Sequence, residues 1–350
     1  MISAHETFDD TFRHTPHFSS APGFAMHYTD EGTGPVLLCL HGEPTWGYLF
    51  RHLIAGLRGS YRMIAPDHMG FGKSETPRDR TYWLQDHIDN LEALVLDLGL
   101  SDITLVMHDF GGPVGMGLLA RRPELVSRVI ALNAPTPFGQ PELPRTLAEN
   151  AAHSPWFSWI ARAQADGTLD DVLGALGYNA LSTLKLNGFQ DNTVITPAWL
   201  RAYAAPFPTR EQTLGALGWA KGFALGAHRF ESPSPRAREA AAHLPALTVW
   251  GMQDQTLRAA HFLPLFRAAF PHGLITELPT AGHTTAPKTP PRPCSPWSGS
   301  SWMQLPHRLG LRGQTTPRAD ATTAGRCRRP RTPQRLRPRR SLACLGFGLG

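Results

Sequence analysis

The chain has 350 residues, 41% of them hydrophobic and 18% charged, a balance that excludes global disorder. It contains no run of about 18 apolar residues, so no membrane-spanning helix is expected, and the start MISAHETFDDTFRHTPHF lacks the basic and apolar regions of a secretory signal. The net charge of +6 hides two unlike pieces: residues 284–350 hold 13 of the 34 Lys and Arg and one acid, Asp320, leaving −6 for residues 1–283 and +12 for the tail, so a nucleic-acid partner is not expected for the body.

FAMHYTD predicts a first strand and VLLCLH at 36–41 a second. Cys39, the one cysteine before the tail, is expected to be a buried, inert thiol; Cys294, Cys327 and Cys344 lie in the tail. One body cysteine cannot build a disulfide framework, which suits a reducing, cytoplasmic location. HGEPTW follows the second strand directly, and a tight turn there can aim the backbone N–H of Glu43 beyond the strand end. RMIAPD at 62–67 predicts a further strand. In WLQDHIDNLEALVLDLGL, Leu84, Ile88, Leu91, Leu94, Val95 and Leu98 recur at helical spacing with polar residues opposite.

ITLVMHDFGGPVG combines an apolar strand at 103–108, a sharp turn over Met107–Gly111 and a helix beginning just after Phe110. Asp109 occupies the apex, beside the positive end of that helix, where a carboxylate stays ionised and nucleophilic. An Asp at this place can equally serve as a helix cap. The N–H of Phe110 would converge with that of Glu43 into a two-donor oxyanion hole. RVIALN at 128–133 predicts the next strand.

From about 135 to 244 the chain is rich in Ala, Leu, Trp and Phe, with helical stretches and no clear strand. LTVWG and LITELP then restore the strand pattern, and their ends deliver Asp254 and His283. Strands without alternation, each followed by a helix, indicate an α/β fold built on a mostly parallel sheet. The expected organisation is a core in two parts, 1–135 and 245–283, with a helical cap at 136–244 inserted before the last strands. Asp109, Asp254 and His283 then stand in the chain order nucleophile, acid, base. A carboxylate nucleophile can displace a leaving group from sp³ carbon, leaving an alkyl ester on the enzyme. His283, oriented by Asp254, would activate water to hydrolyse it.

ITLVMHDFGGPVG, HGEPTWGYLFR, RMIAPDHMGFGKSETP and YAAPFP at 203–208 resemble the haloalkane dehalogenases of the α/β-hydrolase fold. The resemblance is dense over about 25–135 and again over about 195–283. It implies hydrolytic dehalogenation by Asp109, Asp254 and His283, a small apolar substrate with water, and neither metal nor organic cofactor. One position departs from the pattern. The family usually carries Trp after the nucleophile, whose indole N–H grips the halide; here Phe110 has no polar donor. Trp156 and Trp159 of the cap are the first candidates to replace it. Epoxide hydrolases share the Asp–His–Asp set but need two cap tyrosines, for which only Tyr178 and Tyr203 are available. A β-lactone-opening hydrolase and an inactive relative are further alternatives.

Ten of the 32 prolines fall in residues 284–350, which run from TTAPKTPPRPCSPWSGSS to RCRRPRTPQRLRPRR without apolar periodicity. This tail is expected to be disordered. It reads either as a basic arm or, more simply, as an out-of-frame translation of GC-rich DNA.

Overall fold

Residues 2–283 are described by a computed structural model; the expectations for the tail concern 284–350 and lie outside them. The apolar runs pair into one eight-stranded sheet: β1 (His17–Ser19), β2 (Met26–Glu31), β3 (Val36–Leu40), β4 (Arg62–Pro66), β5 (Ile103–His108), β6 (Val126–Leu132), β7 (Ala246–Gly251) and β8 (Leu274–Leu278). The spatial order is β1-β2-β4-β3-β5-β6-β7-β8. The pairings of β2 with β1 and with β4 are antiparallel; from β4 to β8 every pairing is parallel. The strand β1 has no counterpart among the predicted elements, because HFS is too short and too polar to give a pattern.

Alternate residues of the central strands serve opposite faces, as a two-sided parallel sheet requires. Leu38, Leu40, Leu105, Met107, Val129 and Ala131 join one apolar cluster, and Leu37, Cys39, Val106, Ile130 and Val249 the other. Cys39 is fully buried and its thiol stays protonated, since burial pushes its pKa far up. Helices α1 (Arg51–Leu57), α2 (Leu84–Asp97) and α3 (Gly111–Arg121) connect the first strands. The predicted face of α2 is the buried one, and the helix ends before Gly99, whose φ of +59° an L side chain would resist.

Six helices stand between β6 and β7 before the chain returns to the sheet: α4 (Leu143–His153), α5 (Pro155–Ala165), α6 (Leu169–Gly174), α7 (Leu176–Leu186), α8 (Pro197–Ala204) and α9 (Leu214–Ala224). A seventh, α10 (Pro235–His243), packs instead against α3. α11 (Ala259–Ala269) links β7 to β8. Three of these helices start on the same local device. In Ser154-Pro155, Thr196-Pro197 and Ser234-Pro235 the hydroxyl accepts the backbone N–H three residues on, and proline takes the first helical position.

Candidate active site

The strand-to-helix turn after β5 holds Asp109 at φ +50°, a left-handed conformation that few non-glycine residues adopt. The surroundings enforce it. A side chain at Gly111 would strike the carbonyl of Leu40, one at Gly112 the carbonyl of Pro135, and one at Gly42 the Asp109 carboxylate itself. The two loops therefore close on each other through glycine, and strain of this kind concentrates at functional sites. The Glu43 N–H donates to Asp109 Oδ1 at 2.9 Å, and the Phe110 N–H also faces the carboxylate.

His283 follows β8 and lies fully inside the site, at 3% exposure. Its Nδ1 donates to Asp254 Oδ2 at 2.8 Å, while its Nε2 faces Asp109 Oδ2 at 3.4 Å without a hydrogen-bond partner. Asp254 in turn accepts from Thr256 N and Leu257 N on Oδ1, and from Asn133 Nδ2 on Oδ2 at 2.7 Å. The three residues singled out from the sequence thus form one connected chain, with Glu43 and Phe110 beside them.

Charge explains how the chain is poised. Burial alone would lower the proton affinity of His283, but the carboxylates of Asp254 and Asp109 on either side raise its pKa to about 10. Burial likewise works against ionised Asp109. The His283 imidazole, aided by His108 and the Phe110 N–H, outweighs it and keeps the carboxyl below its ordinary range.

Several positioning groups carried no recognisable signal. His108 Nε2 donates to the His283 carbonyl at 3.1 Å, and the His283 N–H donates to the Gly188 carbonyl at 3.4 Å. Asn133, at φ +42° just past β6, also bonds Gly251 N and O and so ties two strand ends together. Its one visible clue was position, since the end of β6 adjoins the end of β7.

Above Asp109 lies a cavity of about 390 Å³, lined mostly by apolar side chains including Phe110, Leu147, Trp156, Ile160 and Phe262. Its polar lining comprises Glu43, Asp109, Asn150, Asn187 and His228. Trp156 borders this space; Trp159 does not, and stacks on Trp156 with ring centres 5.4 Å apart. Trp219 packs on Phe110 at 4.0 Å, but its indole N–H is taken by His87. Neither candidate tyrosine borders the cavity: Tyr178 is 93% exposed and Tyr203 is buried against Tyr48 and Trp199. No group of three or more His, Cys, Asp or Glu able to hold a metal occurs among the described residues.

Comparison with known proteins places this geometry in context. Residues 35–287 match the model of the alpha/beta hydrolase fold family. The cis-3-alkyl-4-alkyloxetan-2-one decarboxylase of Shewanella oneidensis is 34% identical over 76% of this chain and 82% of that protein. Haloalkane dehalogenase 2 of Mycobacterium bovis is 30% identical over 79% of this chain and 90% of that protein. Among solved structures, the tetrameric haloalkane dehalogenase DpaA of Paraglaciecola agarilytica superposes with a TM-score of 0.61 at 26% identity, over 78% of this chain and 89% of that one.

Proposed function

The chain belongs to the α/β-hydrolase fold family, and on that footing we propose that it hydrolyses small apolar haloalkanes through a covalent ester on Asp109. The observation that carries this reading is that Asp109 lines an apolar cavity and is connected behind it to His283 and Asp254. Oδ1 of Asp109 is held by the Glu43 N–H, so Oδ2 is the oxygen free to attack. Its lone pair forms the C–O bond as the halide leaves with the electrons of the C–X bond.

Esterification removes the charge of Asp109, one of the two carboxylates that raise the proton affinity of His283. The imidazole's pKa therefore falls, and the ring releases its Nε2 proton to solvent and is neutral in the step that needs a base. Water gives its proton to Nε2 and attacks Cγ of the ester. The negative charge then develops on Oδ1, against the N–H groups of Glu43 and Phe110. Collapse breaks the bond from Cγ to the alkyl oxygen, protonated Nε2 returns its proton to that oxygen to release the alcohol, and the Asp109 carboxyl loses its remaining proton to restore the carboxylate. Asp254 keeps the ring oriented and stabilises it when protonated.

A second reading, the opening of an alkyl-substituted oxetan-2-one, draws on Phe110 and on the Shewanella relative. Ring strain drives that opening, and the leaving carboxylate stays tethered, so no halide clamp is needed. Epoxide opening is the weaker alternative, because neither tyrosine reaches the cavity. A panel of bromoalkanes, epoxides and cis-3,4-dialkyl oxetan-2-ones separates these readings. Halide release on the bromoalkanes is the expected result. Consumption of the lactones alone would transfer the assignment to the second reading, and diol release alone to the third.

A further inference from the structure

Apart from Glu43 and Asp109, the polar side chains lining the cavity among the described residues are Asn150, Asn187 and His228. Asn150 donates its amide to the Thr256 carbonyl and accepts the Arg258 N–H on its oxygen. His228 accepts the Leu84 N–H on Nδ1 and donates from Nε2 to the Trp219 carbonyl. Both are fully paired, and Asn187 is not. It ends α7, is 3% exposed, and its Nδ2 donates to the Glu43 carbonyl at 3.4 Å. That contact makes Oδ1 the acceptor end of the amide, and Oδ1 is buried without a hydrogen-bond partner. A buried acceptor left unpaired costs free energy, so its place calls for a donor. The next residue, Gly188, holds the His283 N–H. The pair Asn187-Gly188 thus bridges Glu43, on the Oδ1 side of Asp109, to His283, on its Oδ2 side.

We propose that the Asn187 amide oxygen holds the water that hydrolyses the Asp109 ester. This role rests on the covalent-ester reading above. The chemistry narrows the choice of partner. A departing halide is an anion and an acceptor, so a carbonyl oxygen repels it. An alkyl chain has no donor. Until the alcohol forms, water is the one O–H donor that the reaction brings into this space. A held water needs about two to four polar partners, and His283 Nε2, which also lacks a hydrogen bond, supplies the second. With one hydrogen directed to the Asn187 oxygen and the other to Nε2, a lone pair on the water oxygen is left for Cγ of the ester. As that O–C bond forms, Nε2 takes the proton it faces, and the C=O pair moves onto Oδ1 of Asp109. The hydrogen toward Asn187 is not transferred, because an amide oxygen is too weak a base to take it. It stays on the incoming oxygen until the Asp109 carboxyl loses it.

Rapid-quench mass spectrometry of the Asp109 peptide, with a 1-bromoalkane as substrate, gives separate rate constants for ester formation and ester hydrolysis. Asn187→Leu has no acceptor, so hydrolysis should slow about ten- to a hundredfold and formation far less. Asn187→Asp keeps an acceptor oxygen but loses the donor to Glu43, and should hydrolyse the ester faster than the Leu variant does. Two further readouts separate a held water from a displaced loop. The pH midpoint of ester hydrolysis, which reports His283, should be the same in Asn187→Leu as in the unaltered protein. Hydroxylamine, which attacks the ester without a base to activate it, should capture the ester equally fast in both. Unchanged hydrolysis in Asn187→Leu overturns the role, as does an equal loss in the two steps or an Asp variant no faster than Leu. A shifted midpoint or slower capture by hydroxylamine also overturns it, since the loop would then act through His283 or through access to the ester. Failure of any adduct to form on Asp109, in the unaltered protein and in His283→Gln, removes the ester reading and this role with it.

Discussion

At Phe110 the choice of one side chain sets the chemistry the cavity can stabilise. The ring packs against Trp219, Phe223 and His228 and lines the cavity together with Asp109. Phe110→Trp would add an N–H there, and halide release from bromoalkanes should rise about tenfold or more, as expected for one hydrogen bond to an anion. Crowding against Trp219 works against the larger indole. No gain on any bromoalkane, with lactone opening undiminished, would favour the oxetan-2-one reading. Asp109→Ala should abolish turnover altogether. His283→Gln should instead stop after alkylation, leaving the substrate's alkyl mass on the peptide that carries Asp109. Residual turnover by Asp109→Ala would contradict a covalent role for this residue.

One element that holds the base lies far from it in the chain. His283 follows β8, yet its N–H is held by Gly188 in the loop after α7, a helix more than ninety residues earlier in the chain. Gly188 has φ +90°, and a methyl group there would find ordinary van der Waals room, 3.5 Å from His283 Cβ. Backbone strain, not collision, is therefore the cost of Gly188→Ala, about 1 kcal/mol or somewhat more. Melting should fall by only a few degrees. Hydrolysis of the ester should slow more than its formation, because only the second step uses His283 as a base. The rate constants of the two steps, taken from burst kinetics, decide the matter. An unchanged ester lifetime would make the loop a mere connection.

Across the molecule, the sheet and its helices bury five histidines besides His283 whose surroundings disfavour charge: His41, His68, His87, His108 and His228. Burial lowers the pKa values of His68, His108 and His228 to about 4. The unfolded chain takes up these protons first, so their stabilising contribution is complete above pH 6.5 and is lost as pH falls toward 4. A lowering from 6.5 to about 4 corresponds to about 3 kcal/mol for each group, against a net domain stability of about 5–15 kcal/mol. Melting temperature should therefore drop steeply between pH 6.5 and 4. His68→Leu should flatten that limb, because neither ring nitrogen of His68 has a partner to lose. His283 acts in the opposite sense. Its folded pKa is raised to about 10, so its contribution is complete below pH 6.5 and is lost as pH rises through 10. An alkaline limb that survives in His283→Gln would show that another group causes it.

The α/β class, the parallel order of the apolar strands and the approximate places of Asp109, Asp254 and His283 were legible in the sequence. Each rests on local rules: strand and helix periods, glycines at the turns, and polar residues at strand ends. The strand β1, the attachment of α10 to α3, and the direction of every cavity side chain were not. Trp156 and Trp159 looked equivalent in the sequence, three residues apart on one helix, and only the packing of α5 sends one to the cavity and the other behind it. Asn133, Gly188 and His108 act on Asp254 and His283 across separations of up to 175 residues. No local pattern encodes a hydrogen bond between distant loops; it exists only once the sheet has brought their ends together. The same holds for Glu43. Its place after a strand could be read from HGEPTW, but the unpaired carboxyl at the cavity edge is a product of burial, and burial is decided by the whole fold.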